Sequence, residues 1–197
     1  MSTIVAVKKE NQICIAADSL TTFGDTKLSA QYDQAYDKIF SFAESYIGIV
    51  GSASHQMVLE NALTAMRKDV VFSDRQSVFS TFNKLHPLLK DKYYLNPKDE
   101  DDDPYESSRI DALIVNHSGI FGVFTLREVF EYSRFWSIGS GSDFALGAMH
   151  ALYDGESSAE DIARAGVEAG AAFNNGTALP MTLHSIDLDN SPESFMV

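Results

Sequence analysis

The pattern of apolar runs and polar links is clearest at the start of the chain. Ser2-Thr3-Ile4-Val5-Ala6-Val7 is short and rich in β-branched residues. A polar link, Lys9-Glu10-Asn11-Gln12, separates it from a second apolar run, Ile13-Cys14-Ile15-Ala16-Ala17. Two such runs joined this way predict a β-hairpin. Chain ends usually fray, so an end this apolar is expected to be built into a sheet with its first residue held. After Asp18, residues 19–26 are polar with one glycine and read as a loop. Residues 38–42 and 46–50 read as two more strands, and Gly51-Ser52-Ala53-Ser54 opens a helix capped by Ser52 or Ser54. Val58, Ala62, Ala65 and Met66 give that helix an apolar face.

A second helix is predicted over 75–90, lined by Val78, Phe82, Leu85 and Leu89, with Pro87 expected to kink it or end it early. Strands follow at 110–115, 120–125, 129–132 and 136–138, the first two joined by the turn Asn116-His117-Ser118-Gly119. Gly139-Ser140-Gly141-Ser142 leads into a helix ending near Gly155. Ser157-Ser158-Ala159-Glu160 reads as the capping box of the next. That next helix, 159–173, carries Ala163, Gly166, Ala169 and Gly170, small residues that permit close approach of a neighbouring layer. Residues 181–186 alternate as a last long strand, with 194–197 as a candidate to pair with it. Strand blocks alternating with helix pairs predict an α+β fold. The expected form is a four-layer α-β-β-α sandwich of two antiparallel sheets, occupying 1–197 as one domain.

Composition narrows the function. A net charge of −13 on 197 residues argues against nucleic-acid or acidic-membrane partners. The single cysteine, Cys14, allows no internal disulfide and fits a reducing, cytoplasmic compartment. No apolar stretch is long enough to span a membrane, and the start lacks a signal-peptide pattern. The five histidines are scattered without metal-ligand spacing, so neither a metal nor a cofactor is expected. The charge run at 98–106 reads as a solvated loop. The alternative, a calcium loop, lacks the spaced carboxylates, central glycine and terminal glutamate.

Four features can converge on chemistry. Methionine removal is expected ahead of a residue as small as serine, and it leaves Ser2 with a free α-amine. One residue then supplies a hydroxyl nucleophile and a base that works near neutral pH. Asp18 ends the second strand and hairpin pairing returns it towards the first. Lys38 starts the third strand; buried near Asp18, it would stay charged and lower the pKa of the Ser2 amine. Gly51 and the Gly139–Ser142 turn each precede a helix, where free N–H groups favour an oxyanion. The ordinary readings are an edge hairpin, a surface lysine and a plain turn.

These residues, taken together, resemble the proteasome β-subunit family of N-terminal-nucleophile hydrolases, most closely the bacterial HslV-type peptidases and bacterial proteasome homologues. Ser2-Thr-Ile-Val-Ala-Val7 resembles the mature start, usually Thr-Thr-Ile-Val. Ile15-Ala-Ala-Asp18, Lys38-Ile39, Gly48-Ile-Val-Gly-Ser-Ala53 and Ile138-Gly-Ser-Gly-Ser-Asp-Phe-Ala-Leu-Gly147 resemble the later motifs in order, while residues 75–108 match poorly. The resemblance implies Ser2 as nucleophile and base, Lys38 with Asp18 as the electrostatic pair, and the Gly51 N–H as oxyanion donor. Ser140 would order the terminus, with Thr3 and Ser142 in support. Ala53 and Ile49 would lie at the substrate pocket. Asn174 falls where many members carry a supporting Asp, and Thr177 falls near its serine partner. Serine replaces the usual threonine nucleophile, and 98–106 is an insertion relative to HslV.

The leading expectation is a peptidase that hydrolyses peptide bonds through an acyl-enzyme inside a homo-oligomeric ring, on unfolded polypeptide, with an ATPase unfoldase as candidate partner. The rivals are an N-terminal-nucleophile amidase for small amides and a catalytically silent ring or scaffold subunit, which a retained Met1 would favour.

Overall fold

In the computed structural model, residues 2–97, 101 and 104–188 are described. The opening hairpin forms as β1 (Ile4–Lys9) and β2 (Gln12–Asp18), turning at Glu10 in the left-handed region (φ 52°). The stretch read as a loop contains a small hairpin, β3 (Thr21–Phe23) and β4 (Thr26–Leu28), turning at Gly24 (φ 57°). Its strands are three residues each, too short to show a period. Next come β5 (Ile39–Phe42), β6 (Ser45–Val50), α1 (Ala53–Ala65) and α2 (Arg75–Asp91). They are followed by β7 (Asp111–Asn116), β8 (Gly119–Phe124), β9 (Glu128–Tyr132) and β10 (Phe135–Ile138). The described chain closes with α3 (Ser142–Tyr153), α4 (Ala159–Phe173) and β11 (Met181–Asp187).

Beside the β3-β4 pair, two larger antiparallel sheets form, ordered β10-β1-β2-β11 and β5-β6-β7-β8-β9. The opening hairpin is therefore no edge: β1 and β2 are the two central strands of the smaller sheet. Alternation along β1 shows why the layers stack. Ile4 and Ala6 face the other sheet, among Leu113, Val115 and Ile120, whereas Val5 and Val7 face α3 and α4, against Met149, Ile162 and Val167. The far face of the larger sheet packs Ile47, Ile114 and Phe121 on Leu63, Phe82 and Leu85 of α1 and α2. The result is the α-β-β-α sandwich the pattern predicts, in the α+β class.

Several local expectations need correction. Ser52 is the N-cap of α1 but makes no side-chain capping bond. The buried stripe of α1 is Leu59, Ala62 and Leu63, with Ala65 exposed. Pro87 sits inside α2, which runs on to Asp91: the helix is held by its apolar face and by an Asp74–Ser77 capping box that outweigh one lost N–H. The capping box of α4 is Ser158 with Asp161, one residue later than expected. The proposed pairing of 194–197 and most of the charge run 98–106 lie outside the described residues.

Candidate active site

The site is built from the end of β1. Ile4 pairs with Ala17 on one side and Ile138 on the other. This register brings Asp18 and the Gly139–Ser142 turn to either flank of residues 2 and 3. Thr3 donates its N–H to Asp18 Oδ1 at 2.9 Å, and its carbonyl accepts from Asp18 N–H at 3.1 Å. Gly141 N–H donates to the Ser2 carbonyl at 3.2 Å. A Cβ on Gly139 would sit 2.2 Å from that same oxygen, and its φ of +97° also suits glycine.

Thr3 is buried in a cradle of backbone. A Cβ on Gly141 or Gly170 would lie 2.0 or 2.3 Å from its Oγ1, so both glycines exist as space for the threonine. The hydroxyl pairs with Thr177 Oγ1 at 2.8 Å. Thr177 in turn hydrogen-bonds Asn174 Oδ1 at 3.4 Å. Ser140 Oγ donates to the same Asn174 Oδ1 at 2.9 Å, and Asn174 Nδ2 returns a bond to Ser140 O at 2.9 Å. The Asn174 amide oxygen thus accepts from both Ser140 and Thr177. Ser142 opens α3, with its N–H on Gly139 O at 3.1 Å.

On the other flank, Lys38 Nζ donates to Asp18 Oδ1 at 2.7 Å and to Leu20 O at 2.8 Å. The lysine side chain is 12% exposed and the aspartate 0%. Burial pushes the Lys38 pKa below the ordinary lysine range, and the Asp18 carboxylate opposes that shift by attraction and hydrogen bonding. Asp18 Oδ2 accepts from Leu20 N–H and Ala178 N–H at 3.0 and 3.2 Å, so its lone pairs are taken from several directions.

Ser2, Lys38, Ile49, Gly51 and Ala53 line one cleft of about 370 Å³. Leu20, Asp33, Asp37 and Gln56 are also among the residues of its wall. Gly51 adopts φ +126° at the end of β6, with His55 of the following helix packed beneath it. Burial, then the nearby Arg109, holds His55 below its ordinary pKa.

The structure thus brings together Ser2, Thr3, Asp18, Lys38, Gly51, Ile49 and Ala53 around the cleft and its floor. Ser140, Asn174 and Thr177 form a second group behind Thr3, and Ser142 is the first residue of α3. Sequence reasoning missed Asp37, whose carboxylate accepts from Ile39 N–H at 2.9 Å and from the Thr182 hydroxyl at 2.8 Å. An aspartate whose carboxylate accepts from the N–H two residues on is a turn signal, but its link to Thr182 crosses 145 residues and has no local trace. Among the described residues, no group of three His, Cys, Asp or Glu side chains is arranged to hold a metal ion.

A hairpin-borne N-terminal segment inside an α-β-β-α sandwich, faced by a lysine and a strand-to-helix turn, defines the fold of the N-terminal-nucleophile hydrolases. The chain is similar to Thiobacillus denitrificans BPH, a bacterial proteasome homologue, in two solved structures. With the one in complex with Epoxomicin it shares 40% identity over 94% of this chain and 98% of that one, at a TM-score of 0.88. With the other it shares 41% identity over 96% and 99%, at 0.89. The chain belongs to the family of bacterial proteasome homologues. Its fold also matches a eukaryotic HslV from Trypanosoma brucei, with 17% identity over 94% of this chain and 99% of that one, at a TM-score of 0.69. No family model and no curated protein matches the chain.

Proposed function

We propose that this chain is a peptidase subunit that cleaves peptide bonds with Ser2 as an N-terminal nucleophile, freed when Met1 is removed. The reading rests on one observation above all: Ser2, Lys38 and Gly51 share a single cleft. In the proposed mechanism the Ser2 amine takes the proton of the Ser2 hydroxyl as Oγ attacks the substrate carbonyl carbon. The Gly51 N–H holds the oxyanion of the tetrahedral intermediate. The intermediate collapses, the C–N bond breaks, and the ammonium returns its proton to the leaving amine. Water, deprotonated by the same amine, then hydrolyses the acyl-enzyme and restores Ser2.

Charged Lys38, paired with Asp18, disfavours protonation of the amine and keeps it basic but free near neutral pH. Ser140, Asn174, Thr177 and Ser142 order the loop that grips the Ser2 carbonyl, and Thr3 locks the strand below it. Ala53 and Ile49 receive the substrate side chain. The chain acts as one domain over 1–197 in a closed ring of identical copies, cytoplasmic, on unfolded polypeptide, with an ATPase unfoldase as partner. The support for this is membership of a family in which a relative at 40% identity was solved in complex with Epoxomicin. Among the described residues, no helix is long and apolar enough to cross a membrane.

The test is covalent labelling followed by peptide mass spectrometry. Epoxomicin should add its mass to Ser2 in a chain lacking Met1, and Ser2→Ala should abolish the adduct. An intact chain that keeps Met1 and takes no label would overturn the reading in favour of the silent subunit.

A further inference from the structure

We propose that Asp37 and Thr182 are positioning residues that fix the Lys38 ammonium against Asp18. This deepens the proposed function and rests on it for its kinetic consequence. Lys38 has a long, flexible stem, and holding its charge in one place costs side-chain entropy. Something must restrict the backbone that carries it. Asp37 Oδ1 accepts from the N–H of Ile39, so the carboxylate closes a tight turn directly around Lys38. The same oxygen accepts from Thr182 Oγ1 at 2.8 Å.

Thr182 is well placed for this task. It pairs with Ala17 in the register of β2 and β11, and its neighbour Met181 pairs with Asp18. Strand alternation puts Thr182 on the inter-sheet face with His184, which stacks on Tyr46 at a centroid distance of 4.4 Å. His184 Nε2 also lies 3.8 Å from the second Asp37 oxygen. The lysine directly precedes β5 of one sheet, its partner Asp18 ends β2 of the other, and the Asp37–Thr182 bond joins the two beside them, from the residue before Lys38 to the residue opposite Ala17. Lys38 Nζ makes the second join, to Asp18. Two links at adjacent residues fix an orientation where one would leave a pivot.

The experiment uses the full chain, with epoxomicin inactivation of Ser2 resolved into its maximal rate and its half-saturating concentration, beside acetylation of Lys38 by acetic anhydride followed by mass spectrometry. Asp37→Ala should lower the maximal rate by about 10- to 100-fold, as small misplacements do, with little change in half-saturation, and should speed Lys38 acetylation. Asp37→Asn keeps an acceptor oxygen and should recover most of the rate. Thr182→Val does not touch the cleft, serves if Asp37→Ala fails to fold, and should act in the same direction. Added to Asp37→Ala, it should cost little more.

Unchanged Lys38 acetylation in both Asp37→Ala and Thr182→Val would overturn the proposal. So would an Asp37→Asn variant as slow as Asp37→Ala, which would assign the effect to charge. If the wild type takes no label at all, the peptidase reading fails, and the acetylation arm still decides the placement of Lys38.

Discussion

At Lys38 two requirements oppose each other: burial favours the neutral amine, while the adjacent Asp18 carboxylate favours the ammonium. Removing the lysine leaves a fully buried carboxylate without its cation, a loss that typically costs about 3–5 kcal/mol. Lys38→Ala is therefore expected to lower thermal stability and, with the electrostatic partner of the Ser2 amine gone, to cut peptidase turnover on the order of 10²-fold or more. Adding Asp18→Ala should return stability but not turnover, measured by thermal unfolding and a fluorogenic peptide assay. Wild-type turnover in Lys38→Ala would sink the assignment. Gly139 gives a second residue-scale test. Alanine there would press its Cβ on the Ser2 carbonyl in a backbone region unsuited to it, displacing the nucleophile. Gly139→Ala should lose epoxomicin labelling of Ser2. Gly147→Ala meets nothing within 4 Å and should label normally.

The contact of α4 with β1 is the element on which the terminus depends. Small residues along α4 let the helix approach closely enough for Gly170 to touch Thr3, and for Gly166 to sit on Val5 and Met149. Gly170→Ala should overpack this contact by about 1–3 kcal/mol. Thr3→Ala in the same chain should recover part of the loss, a non-additivity readable by denaturant titration. Strand β2 supplies a pH-dependent term. Burial raises the Cys14 thiol pKa, so the folded chain holds that proton after the unfolded chain has lost it. Stability from this group is present below the ordinary thiol pKa and is lost as pH rises through the raised value. Lys38 pulls the other way. Its pKa is lowered, the unfolded chain binds more protons between the lowered value and the ordinary one, and stability rises with pH across that window. Cys14→Ala should thus lose less stability than wild type above about pH 9, and alkaline unfolding series of both proteins measure the difference.

For the whole molecule, the proposed ring makes a plain prediction. Sedimentation of the purified chain at micromolar concentration should show a closed oligomer, and a monomer alone would count against the ring and the confined substrate that goes with it. Exposed aromatic groups cluster on β9 and β10. Phe130 is 43% exposed, and Trp136 at 36% stacks on Tyr132 with centroids 4.9 Å apart.

What the sequence determined by itself was local. Short apolar runs marked β1, β2 and most later strands, alternation marked β11, and three- and four-residue spacing marked the helices; all these signals come from side chains within a few residues of one another. The resemblance of short motifs then pointed to Ser2, Asp18, Lys38 and Gly51. Tertiary structure decided what depends on distant partners. It placed β1 and β2 at the centre of their sheet, because β10 and β11 arrive from more than 100 residues away to pair with them. It carried α2 through Pro87, because burial of one apolar face outweighs a single missing hydrogen bond. It made Gly141 and Gly170 a cradle for Thr3, and it joined Asp37 to Thr182. A hydrogen bond between two sheets leaves no period in either strand, which is why the residues that hold the lysine were silent while the lysine itself was not.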